Sequence, residues 1–375
     1  MSRKQRSARR SPPRQRAGDT VVFLGAGASK AFGYPMTGEI LPKITKQWKA
    51  NGPLFKDIND PQRDKLDRLT IRKFLVDLLP GLATAKRAAI PLITDVFSLV
   101  DHACLRGEAI TAELSTDAVR QFSHLLKQAI FDILIETWIK KDGRRQQVLN
   151  RKLARWLNSL AQPTVISTNY DTVVEDAILD PDDGHRDAQA ATIDWGFDWR
   201  SPFKNEIVRR PHQPWLRLYK LHGSLSCVRC PLCGQTYLNV HGIPAIHAFS
   251  TQPDDAGTCH CGYWRLELQI IPPSLIRELR DASLAETWKH ALQQLRLAKE
   301  WFIVGYSLPA EDIAIRELLI RGYRARETSP SVTVIQRDNS ARDRYRLLFP
   351  DCNYMTGGFK RFLGKLRFPS AISNA

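Results

Sequence analysis

The chain has 375 residues, 43% of them hydrophobic, and a formal net charge of +16. That apolar content excludes an intrinsically disordered protein and suffices for one large domain with insertions, or for two domains, around a substantial core. Seven basic residues (Arg3, Lys4, Arg6, Arg9, Arg10, Arg14 and Arg16) precede the first acid, so residues 1–18 read as a disordered basic tail, either merely solvated or bound to a polyanion such as nucleic acid.

The tail lacks the apolar centre of a secretory signal, and no later run of about 18 uncharged apolar residues exists to span a bilayer. Five of the seven cysteines crowd between Cys227 and Cys261, leaving Cys104 and Cys352 alone, which is metal-ligand spacing rather than a disulfide framework. The reading is of a cytoplasmic protein with no membrane partner.

In chain order, Thr20–Leu24 is an apolar β-type run that stops at Gly25-Ala26-Gly27 and passes into a small-residue helix start. Such a turn brings backbone N–H groups and a helix dipole to a phosphate. The G-x-G-x-x-G dinucleotide fingerprint is incomplete, because Lys30 stands at its third glycine and no acid follows about 20 residues on to hold a ribose. What stands is Gly25-x-Gly27-x-Ser29-x-x-x-Gly33-x-Pro35, which by itself is also compatible with a plain strand-to-helix turn.

From Tyr34 to Ala161 the apolar period turns helical. Ile71, Phe74, Leu75, Leu78 and Leu79 share one face, as do Phe122, Leu125, Leu126, Ala129, Ile130 and Ile133. A doubly wound sheet normally reaches its second strand after one helix, so residues 40–161 read as a helical insertion beside the first turn, serving as a lid, an oligomer contact or ordinary packing.

Sheet pattern returns at Pro163–Thr168, followed at once by Asn169-Tyr170-Asp171 and a helix from Thr172. Polar residues at a strand's carboxyl end face the crevice where open α/β sheets bind ligands, although Asp171 also sits where a helix cap would. A third apolar stretch, Trp215–Leu221, ends in His222-Gly223-Ser224. Next come Cys230-Pro-Leu-Cys233-Gly and Cys259-His-Cys261-Gly, two knuckles that converge four thiolates on one tetrahedral Zn²⁺. Residues 225–266 therefore read as a zinc-ribbon insertion with Cys227 as a neighbour, and a closed four-cysteine set makes the ion structural. Beyond it the pattern predicts strands at Leu268–Ile271, Trp301–Val304 and Val332–Gln336, helices at Leu284–Lys299 and Ala310–Gly322, and two short elements to Phe362. Gly305-Tyr306-Ser307-Leu308-Pro309 repeats the theme of a strand ending in glycine and hydroxyl.

The ordered set of Gly25-Ala26-Gly27-x-Ser29, Thr168-Asn169-Tyr170-Asp171, His222-Gly223-Ser224, the cysteine module and Gly305-Tyr306-Ser307-Leu308-Pro309 resembles the sirtuin-like superfamily over nearly all of the chain after its tail. That resemblance implies an α/β fold over residues 19–375, a Rossmann-like doubly wound parallel sheet with a small zinc module. It implies NAD⁺ bound between the two. Gly25, Ala26, Gly27 and Ser29 would hold the pyrophosphate, Thr168, Asn169 and Asp171 would lie by the nicotinamide ribose, and His222 would be the catalytic base, with Asn169 orienting water. Gly305 and Ser307 would serve phosphate and adenosine, and Asp338 the adenine ribose.

Two departures separate the chain from protein deacylases. Their Asp-Phe-Arg run after the Gly-x-Pro turn is Met36-Thr37-Gly38 here, and their Phe-Gly-Glu wall is replaced by Leu268-Gln269-Ile270-Ile271-Pro272-Pro273. With the helical insertion, these make the chain resemble bacterial sirtuin-like effectors of antiphage defence, which hydrolyse NAD⁺. The expectation is an NAD⁺ glycohydrolase, working as a homo-oligomer and switched on by an activating partner protein or phage product. An NAD⁺-dependent protein deacylase and a non-catalytic nucleotide-sensing or nucleic-acid-binding subunit are the alternatives.

Overall fold

The computed structural model describes residues 19–47, 61–84, 90–139, 143–179, 186–202, 206–240, 258–263, 266–275 and 281–367. The expected basic tail and most of the spacer between the cysteine knuckles lie outside these residues.

A seven-stranded sheet carries the fold, ordered β12 (Asn353–Met355), β11 (Ser331–Ile335), β10 (Glu300–Val304), β1 (Thr20–Leu24), β2 (Thr164–Ser167), β6 (Leu216–Lys220), β3 (Ile193–Asp194). Every pairing within it is parallel. β1 is buried along its whole length, and its side chains alternate between two cores: Val22 and Leu24 join one cluster, Val21 and Phe23 the other. A strand buried on both faces reads as a continuous apolar run, which is why Thr20–Leu24 shows no polar alternation.

From β1 the chain moves through β2 to β6, then returns to the opposite side of β1 at β10 and continues outward to β12. The direction reverses between β1 and β10, and a crevice opens at the carboxyl ends of strands that part in this way. This is the doubly wound parallel sheet expected from the sequence.

Between β1 and β2 run α1 (Ala26–Lys30), α2 (Thr37–Gln47), α3 (Pro61–Leu78), α4 (Ile93–Arg106), α5 (Thr116–Ile139) and α6 (Gly143–Ser159). The two predicted apolar faces meet each other: Phe74 of α3 stacks on Phe122 of α5 with ring centroids 3.9 Å apart. The same cluster takes in Val22, Val165 and Leu218 from the sheet, so the insertion shares the main core rather than building its own. α7 (Val173–Ile178) and α8 (Arg186–Ala191) follow β2, while α9 (Ala282–Leu297), α10 (Ile313–Tyr323), α11 (Arg342–Leu348) and α12 (Gly358–Lys365) complete the chain.

A second sheet has the order β5 (Ile207–Val208), β4 (Trp199–Arg200), β8 (Thr236–Leu238), β7 (Gly223–Arg229), β9 (Glu267–Ile270). It reaches outside 225–266 at both ends, for β4 and β5 come from a stretch where no strand was predicted. Each has two residues, too few to display alternation in the sequence. No helix among the described residues is long and apolar enough to cross a membrane.

Candidate functional site

The turn after β1 is bound to the turn after β10 by backbone. Gly25 N–H donates to Val304 O at 2.9 Å and Gly27 N–H to Gly305 O at 2.7 Å. A Cβ on Gly25 would lie 2.6 Å from Tyr306 Cα, and one on Gly305, where φ is +62°, would lie 2.1 Å from Ala28 N. Close backbone approach between two loops thus accounts for these glycines. The N–H groups of Gly27 and Ala28 are committed to Gly305 O and Gly25 O, so an anion at this turn depends on the remaining donors and on Ser29.

Asn169 joins the β2 loop to this turn. Its amide nitrogen donates to Gly25 O at 2.9 Å and to Ser29 Oγ at 2.7 Å. Because a carbonyl only accepts, Gly25 fixes which end of the amide is Nδ2. Oδ1 then remains to accept from a water or ligand.

His222 follows β6 and is 5% exposed. Its Nδ1 lies 3.1 Å from Thr168 O. That oxygen can only accept, so Nδ1 carries the proton and Nε2 is the basic nitrogen of the neutral ring. The main chain on the other side is held as well, with Ile271 N–H donating to His222 O at 2.9 Å. The next residue, Gly223, has φ +85° and would set a Cβ 1.8 Å from Gln269 O. The glycine after the histidine is therefore required by the closeness of β7 and β9.

Ala26, Ser29, Thr168, Asn169, Asp171, His222, Gly305 and Ser307 line one cavity of about 320 Å³. Eight of the residues singled out in the sequence converge there, from four separate chain segments. Gly25 and Gly27 stand behind it. Asp171 also behaves as its position before a helix suggested, accepting from Val173 N–H at 3.0 Å. Asp338 lies apart: it is half-buried, accepts from Ser340 N–H at 3.0 Å, and pairs with Arg337 at 3.1 Å. Hydrogen bonds from Ser340 and then Arg337 draw its carboxyl down to about 2.

Sequence reasoning missed several walls of the cavity, among them Leu92, Thr94 and Leu134 of the insertion. It also missed a closure at Tyr170, whose hydroxyl donates to Ile271 O at 2.6 Å, and at Ser98, whose Oγ accepts from Leu275 N–H at 2.9 Å. Tyr170 stands in a motif read from the sequence, but neither its bond nor that of Ser98 leaves a local mark, because the partners lie 101 and 177 positions away.

Behind His222 lies a buried ion pair. Lys220 Nζ stands 3.3 Å from Glu175 Oε1 and also donates to Asp171 O, while Ser224 Oγ donates to Glu175 at 3.2 Å. Burial pushes the Glu175 carboxyl up, against the opposing pull of Lys220. The cluster ties α7 and the Asp171 turn to the strand that carries His222.

A model of the SIR2-like domain matches residues 163–351, about half of the chain. The chain belongs to the SIR2-like family. That membership supports an NAD⁺-related activity. No curated protein matches. Solved Sir2 structures resemble the chain at low identity. One, concerned with the mechanism and regulation of Sir2 enzymes, is 14% identical over 94% of this chain and 92% of that one, TM-score 0.40. Another, concerned with sirtuin substrate affinity, is 13% identical over 93% of each chain, TM-score 0.42. A third, Sir2 with a p53 peptide and NAD⁺, is 13% identical over 93% and 92%, TM-score 0.39.

The SIR2-like match includes the cysteine module. The sulfurs of Cys230, Cys233, Cys259 and Cys261 all lie within 4.8 Å of one another, with Cys230–Cys261 at 3.7 Å and Cys233–Cys259 at 3.5 Å. Four thiolates at about 2.3 Å from one tetrahedral zinc would sit about 3.8 Å apart, so the residues fit the ion. Cys227 is buried in β7, outside this group. Its thiol is pushed up by burial and then by Glu175, which makes it a poor source of thiolate.

Proposed function

We propose that this SIR2-like protein is an NAD⁺ glycohydrolase that cleaves NAD⁺ to nicotinamide and ADP-ribose, acting as an antiphage effector by NAD⁺ depletion. The observation that carries the reading is the convergence of Asn169 and His222 on one cavity with Ser29 and Gly305. Nicotinamide is a cationic leaving group, so the site needs to stabilise an oxocarbenium-like ribose and deliver water rather than supply a strong acid. Asn169 suits the delivery of water because its Nδ2 is already engaged and its Oδ1 is left to accept. His222, with Nδ1 held by Thr168, suits proton removal through Nε2.

The preference for water over an acylated peptide is supported by the bonds Tyr170–Ile271 and Ser98–Leu275, which draw the chain after β9 against the β2 loop and the insertion. In this reading residues 40–161 act as a lid within a domain of residues 19–375, and residues 1–18 remain a tail. Residues 225–266 form a zinc-ribbon insertion whose ion, held by Cys230, Cys233, Cys259 and Cys261, supports the fold rather than the chemistry. Ala26, Ser29, Gly305 and Ser307 face the phosphates and the adenosine side, with Gly25 and Gly27 shaping the turn behind them. The active form is a homo-oligomer switched on by a partner or phage product, since a cell does not tolerate an open NAD⁺ drain.

Nicotinamide release by the purified chain, with and without candidate activators, tests the reading. Hydrolysis without any acylated peptide is the expected result. Release that requires an acyl-lysine peptide replaces it with the deacylase reading.

A further inference from the structure

The strongest feature outside the cavity is a basic face formed by α6 and α12. α6 carries Arg151, Lys152 and Arg155, α12 carries Lys360, Arg361 and Lys365, and neither helix contains an acid. Trp156 packs edge-on against Phe359 and Phe362, with ring centroids 5.8 Å and 5.1 Å apart. The two helices therefore lie side by side, and their outward faces form one surface.

Five of the six cations are exposed and Lys152 is half-buried. None forms an ion pair among the described residues, whereas cations elsewhere on the surface do: Lys30 with Glu39 at 2.7 Å, Arg106 with Glu108 at 2.8 Å, Arg321 with Glu317 at 3.4 Å. α7 packs against α6, where Asn150 donates to the Asp176 carbonyl at 3.3 Å, and the Asp176 carboxylate accepts from Thr172 Oγ1 at 2.9 Å. Glu175 there is buried and engaged by Lys220.

We propose that the α6–α12 face binds the phosphate backbone of duplex nucleic acid without reading its sequence. Unpaired like charges held on two rigid helices repel one another in the free protein and are relieved by a polyanion, whose condensed counterions are released on binding. At about 1.5 Å per residue, the 17-residue α6 extends about 25 Å, enough to follow several phosphates of a duplex that carries a charge about every 1.7 Å of its axis. The aromatic rings of both helices are turned inward, with Trp156 and Phe359 buried. The face thus offers no stacking platform for unpaired bases, which distinguishes it from single-strand binders. This surface lies outside the cavity and stands independently of the reading of its chemistry.

The test is fluorescence anisotropy on a labelled 25-base-pair duplex of random sequence, over a salt series, with the full-length protein. Reversing four charges, Arg151→Glu, Arg155→Glu, Arg361→Glu and Lys365→Glu, should weaken binding at least tenfold and make the log–log salt slope shallower by about 3 to 4, near 0.9 per lost phosphate contact. The same four positions changed to Gln, with an unchanged melting temperature, separate lost charge from lost fold. A full-length chain whose seven tail cations are Gln should keep most of the slope. Unchanged affinity and slope in the four-fold variants overturns the proposal, as does complete loss of binding in the tail variant. Binding to phosphatidylserine vesicles with none to the duplex overturns it in favour of a membrane surface.

Discussion

Gly27 donates its N–H to the carbonyl of Gly305 across 2.7 Å, and this bond joins the two loops that open the crevice where the sheet reverses direction. Gly305 is held at φ +62°, and an added Cβ would stand 2.1 Å from Ala28 N. Backbone cannot swing aside as the end of a long side chain can. Gly305→Ala should therefore destabilise the protein by more than about 3 kcal/mol, combining left-handed strain with a clash. Gly33 is the control, since at φ +92° it has nothing within 4 Å of a Cβ. Gly33→Ala should cost only the left-handed strain of about 1 to 2 kcal/mol. Urea denaturation of both variants checks this, and equal losses would mean that the loops yield.

At the far edge of the sheet, Asp194 receives Arg210 through two bonds of 2.8 Å and the Tyr219 hydroxyl at 2.8 Å. Burial alone would raise this carboxyl, but the bonds from Arg210, Gly196 and Tyr219 hold it below the usual carboxylate range. A lowered folded-state value stabilises the protein above the unfolded value of about 3.9, and that contribution disappears as pH falls through the folded value. Asp194→Asn should lose about 1.5 to 3 kcal/mol at pH 7, and its difference from wild type should vanish at the acid end of the window. A difference that stays constant from pH 7 to pH 2 would show that the loss is one of shape rather than charge.

The cysteine cluster makes a prediction of stoichiometry. The purified protein should hold one Zn²⁺, lost in Cys230→Ser and in Cys259→Ser and kept in Cys227→Ser, because only four converging thiolates close the site. Elemental analysis with thermal melting reads both the ion and its contribution to the fold. Loss of the ion in Cys227→Ser with retention in Cys230→Ser would reverse the assignment.

The inner strands of the main sheet were legible because each leaves a local mark, whereas the two-residue edge strand β3 was not predicted. β1, β2, β6 and β10 are short apolar runs that stop at glycine or a polar triplet, and the sequence bounds of each fall within two residues of the structure. The cysteines were legible for a similar reason, since a knuckle is a local turn. The closures at Tyr170 and Ser98 were not, because a hydroxyl's bond to backbone 101 or 177 residues away leaves no periodicity. Nor did the sequence distinguish a glycine that approaches a phosphate from one that approaches another loop. Gly25 and Gly305 fit either account until their neighbours are seen. Asp338 was read from motif order alone, as a carboxylate after the last long strand, and the structure places it outside the cavity, bonded to Ser340 and Arg337 of its own turn.

The catalytic assignment stands or falls on Asn169 and His222. Asn169→Ala and His222→Ala should each lower nicotinamide release by about 10² to 10⁴ while leaving the fold and metal content unchanged, the usual scale for a positioned acid, base or water-orienting group. Ser29→Ala supplies the graded case. Its hydroxyl holds the Asn169 amide at 2.7 Å, but Gly25 O still holds it at 2.9 Å, so the amide keeps one of two anchors and the loss should be about tenfold. NAD⁺ binding, measured by calorimetry, should survive in His222→Ala because the phosphate contacts come from other segments of the chain. The comparison belongs in the activated state, where wild-type turnover is measurable. Wild-type rates in His222→Ala would make the histidine a strut between Thr168 and Ile271. A Ser29→Ala loss as large as that of Asn169→Ala would instead make the Ser29 hydroxyl, and not Gly25, the anchor that keeps Oδ1 turned towards the reacting water.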